Sequence, residues 1–235
     1  MAPGADDDVV RVLYLLHTAT VQDFQEVATL VRTMADIRRV FSYNSPRALV
    51  LRGTAAQMAM AEWLSNELDQ PGQSSGKREY RAPGANDDVV RVFYLPRAKT
   101  VQDFQEVATL VRTISEIQRV FTYNGPRALA LRGTAGQAAL AEWLFAELDH
   151  PASSDAKHEY WVSGRNDDVV RVFYLPATRT VQDFQASATR IRSITKIPRV
   201  FTYNAPRALA LRGTFDQIVH AEQLIQALDQ ANSSK

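Results

Sequence analysis

The chain has 235 residues, 46% of them apolar and 23% charged, the balance of an ordinary folded protein rather than a disordered one. A net charge of +1 leaves no long-range field to gather nucleic acid or acidic lipid, and the absence of cysteine excludes disulfides, thiolate metal sites and a cysteine nucleophile. No apolar stretch approaches the roughly 18 residues of a membrane span, and the opening MAPGADDD lacks the basic and apolar segments of a secretory leader, which predicts a cytoplasmic chain as written.

The same elements recur three times along the chain. Val9, Val89 and Val169 each open VVRV, and Gly53, Gly133 and Gly213 each precede a threonine; both series step by 80 residues (89 − 9 and 133 − 53), so no insertion or deletion separates the copies. The first two copies are about three-quarters identical, far above chance for a repeat. This predicts repeat units at 6–69, 86–149 and 166–229, linkers at 70–85 and 150–165, and a tail at 230–235.

In the second copy, Val89–Leu95 (VVRVFYL) is β-branched and aromatic and predicts a strand. Thr100–Thr113 spaces Val101, Phe104, Val107, Ala108 and Val111 as a helix does, and Thr100 with Asp103 marks its capped start. Arg119–Tyr123 and Ala128–Arg132 read as two strands joined by the Asn124-Gly125-Pro126 turn. Thr134 with Gln137 is a second capping box, opening a helix to about Leu148 before Asp149 closes the unit. Each linker (QPGQSSGK, HPASSDAK) leads into a stretch with Tyr80, or Tyr160 and Trp161, that offers an extended segment to dock on the next unit. The fold class is α+β: three tandem β-α-β-β-α units, each a three-stranded mixed sheet in the order 1-3-2 with two helices on one face.

Alternation along the strands splits each sheet into two faces. In the first unit Val10, Val12, Val40, Leu49 and Leu51 form the helix-facing set, leaving Arg11, Leu13, Arg39, Phe41, Tyr43 and Arg52 opposite. The opposite set becomes Arg91, Phe93, Arg119, Phe121, Tyr123 and Arg132 in the second unit, and Arg171, Phe173, Arg199, Phe201, Tyr203 and Arg212 in the third. Arginine mixed with aromatic rings is the composition of surfaces that meet partners, so this is the candidate interaction face. A competing reading makes Phe41 and Tyr43 core and pairs the arginines with Asp7, Asp8, Glu62 or Asp69. The recurrence of Asn44, Pro46 and Arg47 is assigned to turn geometry, and that of Gly53 to the strand-to-helix junction.

Nothing recurrent has the make-up of a catalytic site. His17, His150, His158 and His220 do not repeat between copies, and the recurrent acids Asp23 and Glu62 sit in a capping box and on a helix surface. The expectation is a protein that is not an enzyme, with no catalytic residue, metal or cofactor.

The first strand and helix, the Asn124–Arg127 turn, the strand ALALRGT and the helix ending Leu148-Asp149 together resemble the repeated N-domains of bacterial secretins, the outer-membrane channel proteins. The resemblance covers all three units. It implies a ring-building fold similar to KH domains, stacked in the periplasm, packing side by side between subunits and binding secretion substrates or other parts of the machine without catalysis. The chain departs from the family in having no barrel region, no signal sequence and no opening domain of the secretin type. What the resemblance implies is therefore a periplasmic fragment or a relative that kept the module, not the pore. The expected function is a protein–protein scaffold whose partner is itself or a secretion-system component. The alternative is single-stranded RNA or DNA held by KH-like units, with Phe41, Tyr43, Arg11 and Arg52 stacking and clamping bases. The near-zero net charge and the lack of a GXXG loop between helices stand against it. A third possibility is tandem beads that bind one partner three times, gaining avidity through short linkers.

Overall fold

The computed structural model of the chain describes residues 9–70, 78–82, 88–149, 159–164 and 167–233. Asp7, Asp8, His150, His158 and much of both predicted linkers lie outside the described residues. The first repeat contains β1 (Val9–Tyr14), α1 (Val21–Met34), β2 (Arg39–Tyr43), β3 (Ala48–Gly53) and α2 (Ala55–Leu68). The second follows with β4 (Arg78–Arg81), β5 (Val89–Tyr94), α3 (Val101–Ile114), β6 (Arg119–Tyr123), β7 (Ala128–Gly133) and α4 (Ala135–Asp149). The third has β8 (Glu159–Trp161), β9 (Val169–Tyr174), α5 (Val181–Thr195), β10 (Arg199–Tyr203), β11 (Ala208–Gly213) and α6 (Phe215–Ser233).

The sheets have the orders β1-β3-β2, β4-β5-β7-β6 and β8-β9-β11-β10. The 1-3-2 order is the one predicted. The sheets are not mixed as predicted: every hydrogen-bonded pair among the described residues is antiparallel, because the central strand separates two strands that run the same way. The aromatic stretches after the linkers supply a fourth strand: β4 pairs with β5, and β8 with β9.

The helices start where free backbone amides find side-chain acceptors. Thr20 Oγ1 accepts from the Asp23 amide at 3.0 Å while Asp23 Oδ2 accepts from the Thr20 amide at 2.9 Å. Thr100 and Asp103 repeat the box, and Thr54 with Gln57 and Thr134 with Gln137 make its glutamine version. Each such cap is worth about 1 kcal/mol. The glutamine reaches back so closely that a Cβ on Gly53 would lie 2.4 Å from Gln57 Oε1, so a side chain there would displace the capping glutamine. α1 ends in a Schellman turn: the Ile37 amide donates to the Arg32 carbonyl at 3.0 Å, with Asp36 left-handed at φ 54.

The chain forms two compact units that do not coincide with the sequence repeats. One comprises residues 1–96 with 117–138, that is, the first repeat and the second sheet. In it α1 and α2 pack on the face of β1-β3-β2 that carries Leu49 and Leu51, around a core of Phe24, Val27, Val31, Met58 and Leu64. The other side of α1 lies on β6 and β7, and Val90, Val92, Tyr123, Ala128 and Ala130 of the second sheet join the same core. The other unit comprises residues 97–116 with 139–235. In it α5 and α6 cover the third sheet around Phe184, Ile191, Leu209, Leu211 and Ile218, and α3 lies on β10 and β11. Among the described residues no helix is long and apolar enough to cross a membrane, and no group of three or more histidines and acids is placed to hold a metal ion.

Candidate functional site

Register decides which residues share a sheet face. Val10 and Arg39 both lie opposite Arg52, Val12 and Phe41 both lie opposite Val50, and Tyr14 and Tyr43 both lie opposite Ala48. The face away from the helices of the first repeat therefore carries Val10, Val12, Tyr14, Arg39, Phe41, Tyr43, Val50 and Arg52. The arginine of VVRV goes to the other side, which corrects the predicted site. Arg11 points to α2, its Nε 3.0 Å from Glu62 Oε1. Arg91 pairs with Glu79 and donates to the Ala138 carbonyl at 3.2 Å, and Arg171 pairs with Glu159 and with Glu222 at 2.7 Å. Phe173 packs into the third-repeat core, and Phe93, opposite Leu129, takes the equivalent register. Conversely Val10 and Val12, predicted to face the helices, are exposed. A run with valine at both parities cannot set its own phase; pairing with β3 sets it.

In the first unit this face of the second sheet is occupied. α1 lies across it with Leu30 and Met34 buried, and Tyr123 is only 5% exposed. Glu26 of α1 accepts from the Asn124 amide at 2.8 Å and from its Nδ2 at 3.0 Å. Asp36, just past the end of α1, takes Arg119 Nη1 at 2.6 Å and Arg132 Nη1 at 3.2 Å. Arg132 also donates to the Met34 carbonyl and to Asp88, with Nε 2.8 Å from Oδ1. That hydrogen bond, with the arginine's charge, holds the Asp88 carboxyl below its ordinary range. α2 adds a second strip of contact: the Tyr94 hydroxyl donates to the Glu67 carbonyl at 2.8 Å, and Tyr80 sits 5.6 Å from Trp63 between ring centroids. Burial, followed by the negative charges of Asp23, Asp69 and Glu26, pushes the Tyr123 hydroxyl up to about 12.

The second unit repeats the arrangement. Glu106 of α3 accepts from the Asn204 amide at 2.9 Å and its Nδ2 at 2.8 Å. Glu116 pairs with Arg199 and, at 3.3 Å, with Arg212, which also donates to the Ile114 carbonyl and to Asp168. The Tyr174 hydroxyl reaches the Glu147 carbonyl at 2.8 Å, and Trp143 meets Tyr160 at 5.6 Å. Tyr203 is buried and likewise raised to about 12, burial being the main cause.

In the first repeat the same face is open. Phe41 is 68% exposed, Tyr43 59% and Val10 57%, with Arg39 and Arg52 at its margin. Of the predicted site, then, Arg39, Phe41, Tyr43 and Arg52 share one open face. Arg119, Phe121, Tyr123 and Arg132 share a covered one, as do Arg199, Phe201, Tyr203 and Arg212. Sequence reasoning missed Val10, Val12, Tyr14 and Asn44 on this face, and the acids that meet it, Glu26, Asp36, Glu106 and Glu116. The available signal was the third copy, which changes those acids to Ala186 and Lys196 while keeping the arginines.

No protein-family model matches the chain, and no curated protein matches it. Among solved structures it is similar to ExeD of Aeromonas hydrophila, at 17% identity over 96% of this chain and 42% of that one, with a TM-score of 0.23. It is also similar to the N-terminal domain of the secretin XcpQ from Pseudomonas aeruginosa, at 19% identity over 60% of this chain and 62% of that one, TM-score 0.25. A third likeness is XcpQN012, at 15% identity over 94% and 99% of the two chains, TM-score 0.30. The chain thus spans less than half the length of ExeD. These structures include the N-terminal domain of a secretin, the family the sequence resembles.

Proposed function

We propose that the chain is a non-catalytic module of protein–protein contact, working on the periplasmic side of a secretion machine as the N-domains of secretins do. One observation carries this reading. The face left open on the first repeat has, apart from Val50 in place of Ala130 and Ala210, the same residues as two faces that already bind protein within the chain, each through a helix set down on it and acids that neutralise its arginines. The nucleic-acid reading draws no support from that pattern, since in the second and third sheets the arginines it would need are engaged by carboxylates.

The test is a photo-crosslinking amino acid placed at Phe41 in the producing cell, with an exposed control at Gln22. Ultraviolet adducts at position 41 that are polypeptide, and more abundant than at position 22, are the expected result. Nuclease-sensitive adducts, or adducts no different from the control, would overturn the reading.

A further inference from the structure

The two covered faces show what the open one is shaped to receive. In each, the visiting helix and the turn after it bring four side chains of matching kind at the same spacing: Glu26, Leu30 and Met34 of α1 with Asp36, then Glu106, Leu110 and Ile114 of α3 with Glu116. The glutamate caps the turn asparagine, the two apolar residues are fully buried on the sheet, and the final acid meets the paired arginines. The open face presents the matching half, with Asn44, Phe41, Tyr43, Arg39 and Arg52 in the equivalent positions.

The chain's own third repeat does not carry the visiting half. There α5 and the Lys196 that follows it have Ala186, Arg190 and Lys196 at three of the four positions, and the fourth, Ile194, is 41% exposed. The second strip is rewritten too: Met60 and Leu140 become His220, Trp63 and Trp143 become Gln223, and Glu67 and Glu147 become Ala227. The surface that meets the next sheet in the first two repeats is thus not reproduced in the third. Docked on the open face of another copy, it would set Lys196 against Arg39 and Arg52, a like-charge contact that selects against such pairing. α1 and α3 are each already committed to a sheet within their own units.

We infer that the open face of the first repeat is the acceptor for an amphipathic helix that none of these three repeats supplies, one with Glu, Leu and Met or Ile at positions i, i+4 and i+8 and Asp or Glu at i+10, in the left-handed turn that ends it. Val50 stands where Ala130 and Ala210 are buried, the one difference between the open face and the covered ones. The inference rests on the protein-contact reading above and adds the chemistry of the partner.

The probe is a synthetic peptide of Thr100–Ile117, stapled between its exposed positions 102 and 109 so that it is helical in water. It is titrated into the whole chain by fluorescence anisotropy. Saturable binding is expected, weakened at least tenfold by Phe41→Ser or Arg39→Glu in the chain, and restored in the Arg39→Glu chain by Glu116→Arg in the peptide. The equivalent stapled peptide of Thr180–Ile197, with Ala186, Arg190 and Lys196, should bind at least tenfold more weakly. Equal binding of the two peptides, binding indifferent to Arg39 and Phe41, or no binding would overturn the assignment. If the peptides fail while position 41 still crosslinks to polypeptide, the partner chemistry is wrong and the scaffold reading stands; if both fail, both fall.

Discussion

Asp36, Glu116 and Lys196 occupy one backbone position, left-handed at φ 54, 57 and 56, where an L-residue carries a penalty of about 1–2 kcal/mol that glycine escapes. The two acids are held there by arginines of the next sheet; the lysine lacks that compensation, because its helix meets no further sheet among the described residues. Lys196→Gly is therefore expected to raise stability by about 1 kcal/mol in urea unfolding. Asp36→Gly should lower it, since relief of the backbone is outweighed by loss of the contacts to Arg119 and Arg132. Tyr43 and Tyr123 make a second matched pair, alike in sequence position and opposite in exposure. Tyr123→Ala should cost about 3 kcal/mol, the range for a buried ring, while Tyr43→Ala stays within about 0.5 kcal/mol. The tyrosine hydroxyls report the same asymmetry through pH. Tyr123, Tyr174 and Tyr203, held by burial near 12 against an ordinary 10, give their full support to the fold below pH 10 and lose it as pH rises towards 12. An ultraviolet absorbance titration should show these three ionising last, and Tyr123→Phe should remove one from the late phase.

At the scale of elements, α1 is a helix with two apolar sides, Phe24, Val27 and Val31 towards its own sheet and Leu30 and Met34 towards the next. Importing the third repeat's residue, as Leu30→Arg, puts a charge into the second contact and is expected to cost about 3 kcal/mol or more. Hydrogen exchange would locate the damage: β6 amides should lose protection while β3 keeps it. Element boundaries were legible in the sequence because local chemistry fixes them. Thr20, Thr54, Thr100 and Thr134 cap, Gly53 makes room for a glutamine, and the Asn-x-Pro-Arg turns close the hairpins. The phase of β1 was not legible, since Val9 and Val10 give both faces an apolar start and only the partner strand chooses. The fourth strands were visible as an offer in Tyr80 and Tyr160 rather than as strands, because three or four residues carry no period of their own. Coverage of a face was not legible from that face at all. Phe41 and Phe121, or Tyr43 and Tyr123, are the same residues in near-identical strings, and their burial is decided by a helix elsewhere in the chain.

At the scale of the whole molecule, the rewritten α5 governs how large an assembly can become. A head-to-tail contact between identical chains has no natural stopping point unless its geometry closes, and the common outcome is a fibre. Here both visiting helices among the described residues, α1 and α3, are already seated on sheets of the same chain, so the stoichiometry with a guest helix should saturate at one to one and light scattering should stay flat as concentration rises. Any ring of the kind the secretin resemblance implies would have to close through a different, lateral surface, leaving the face of Phe41 and Tyr43 for a guest at every subunit around it.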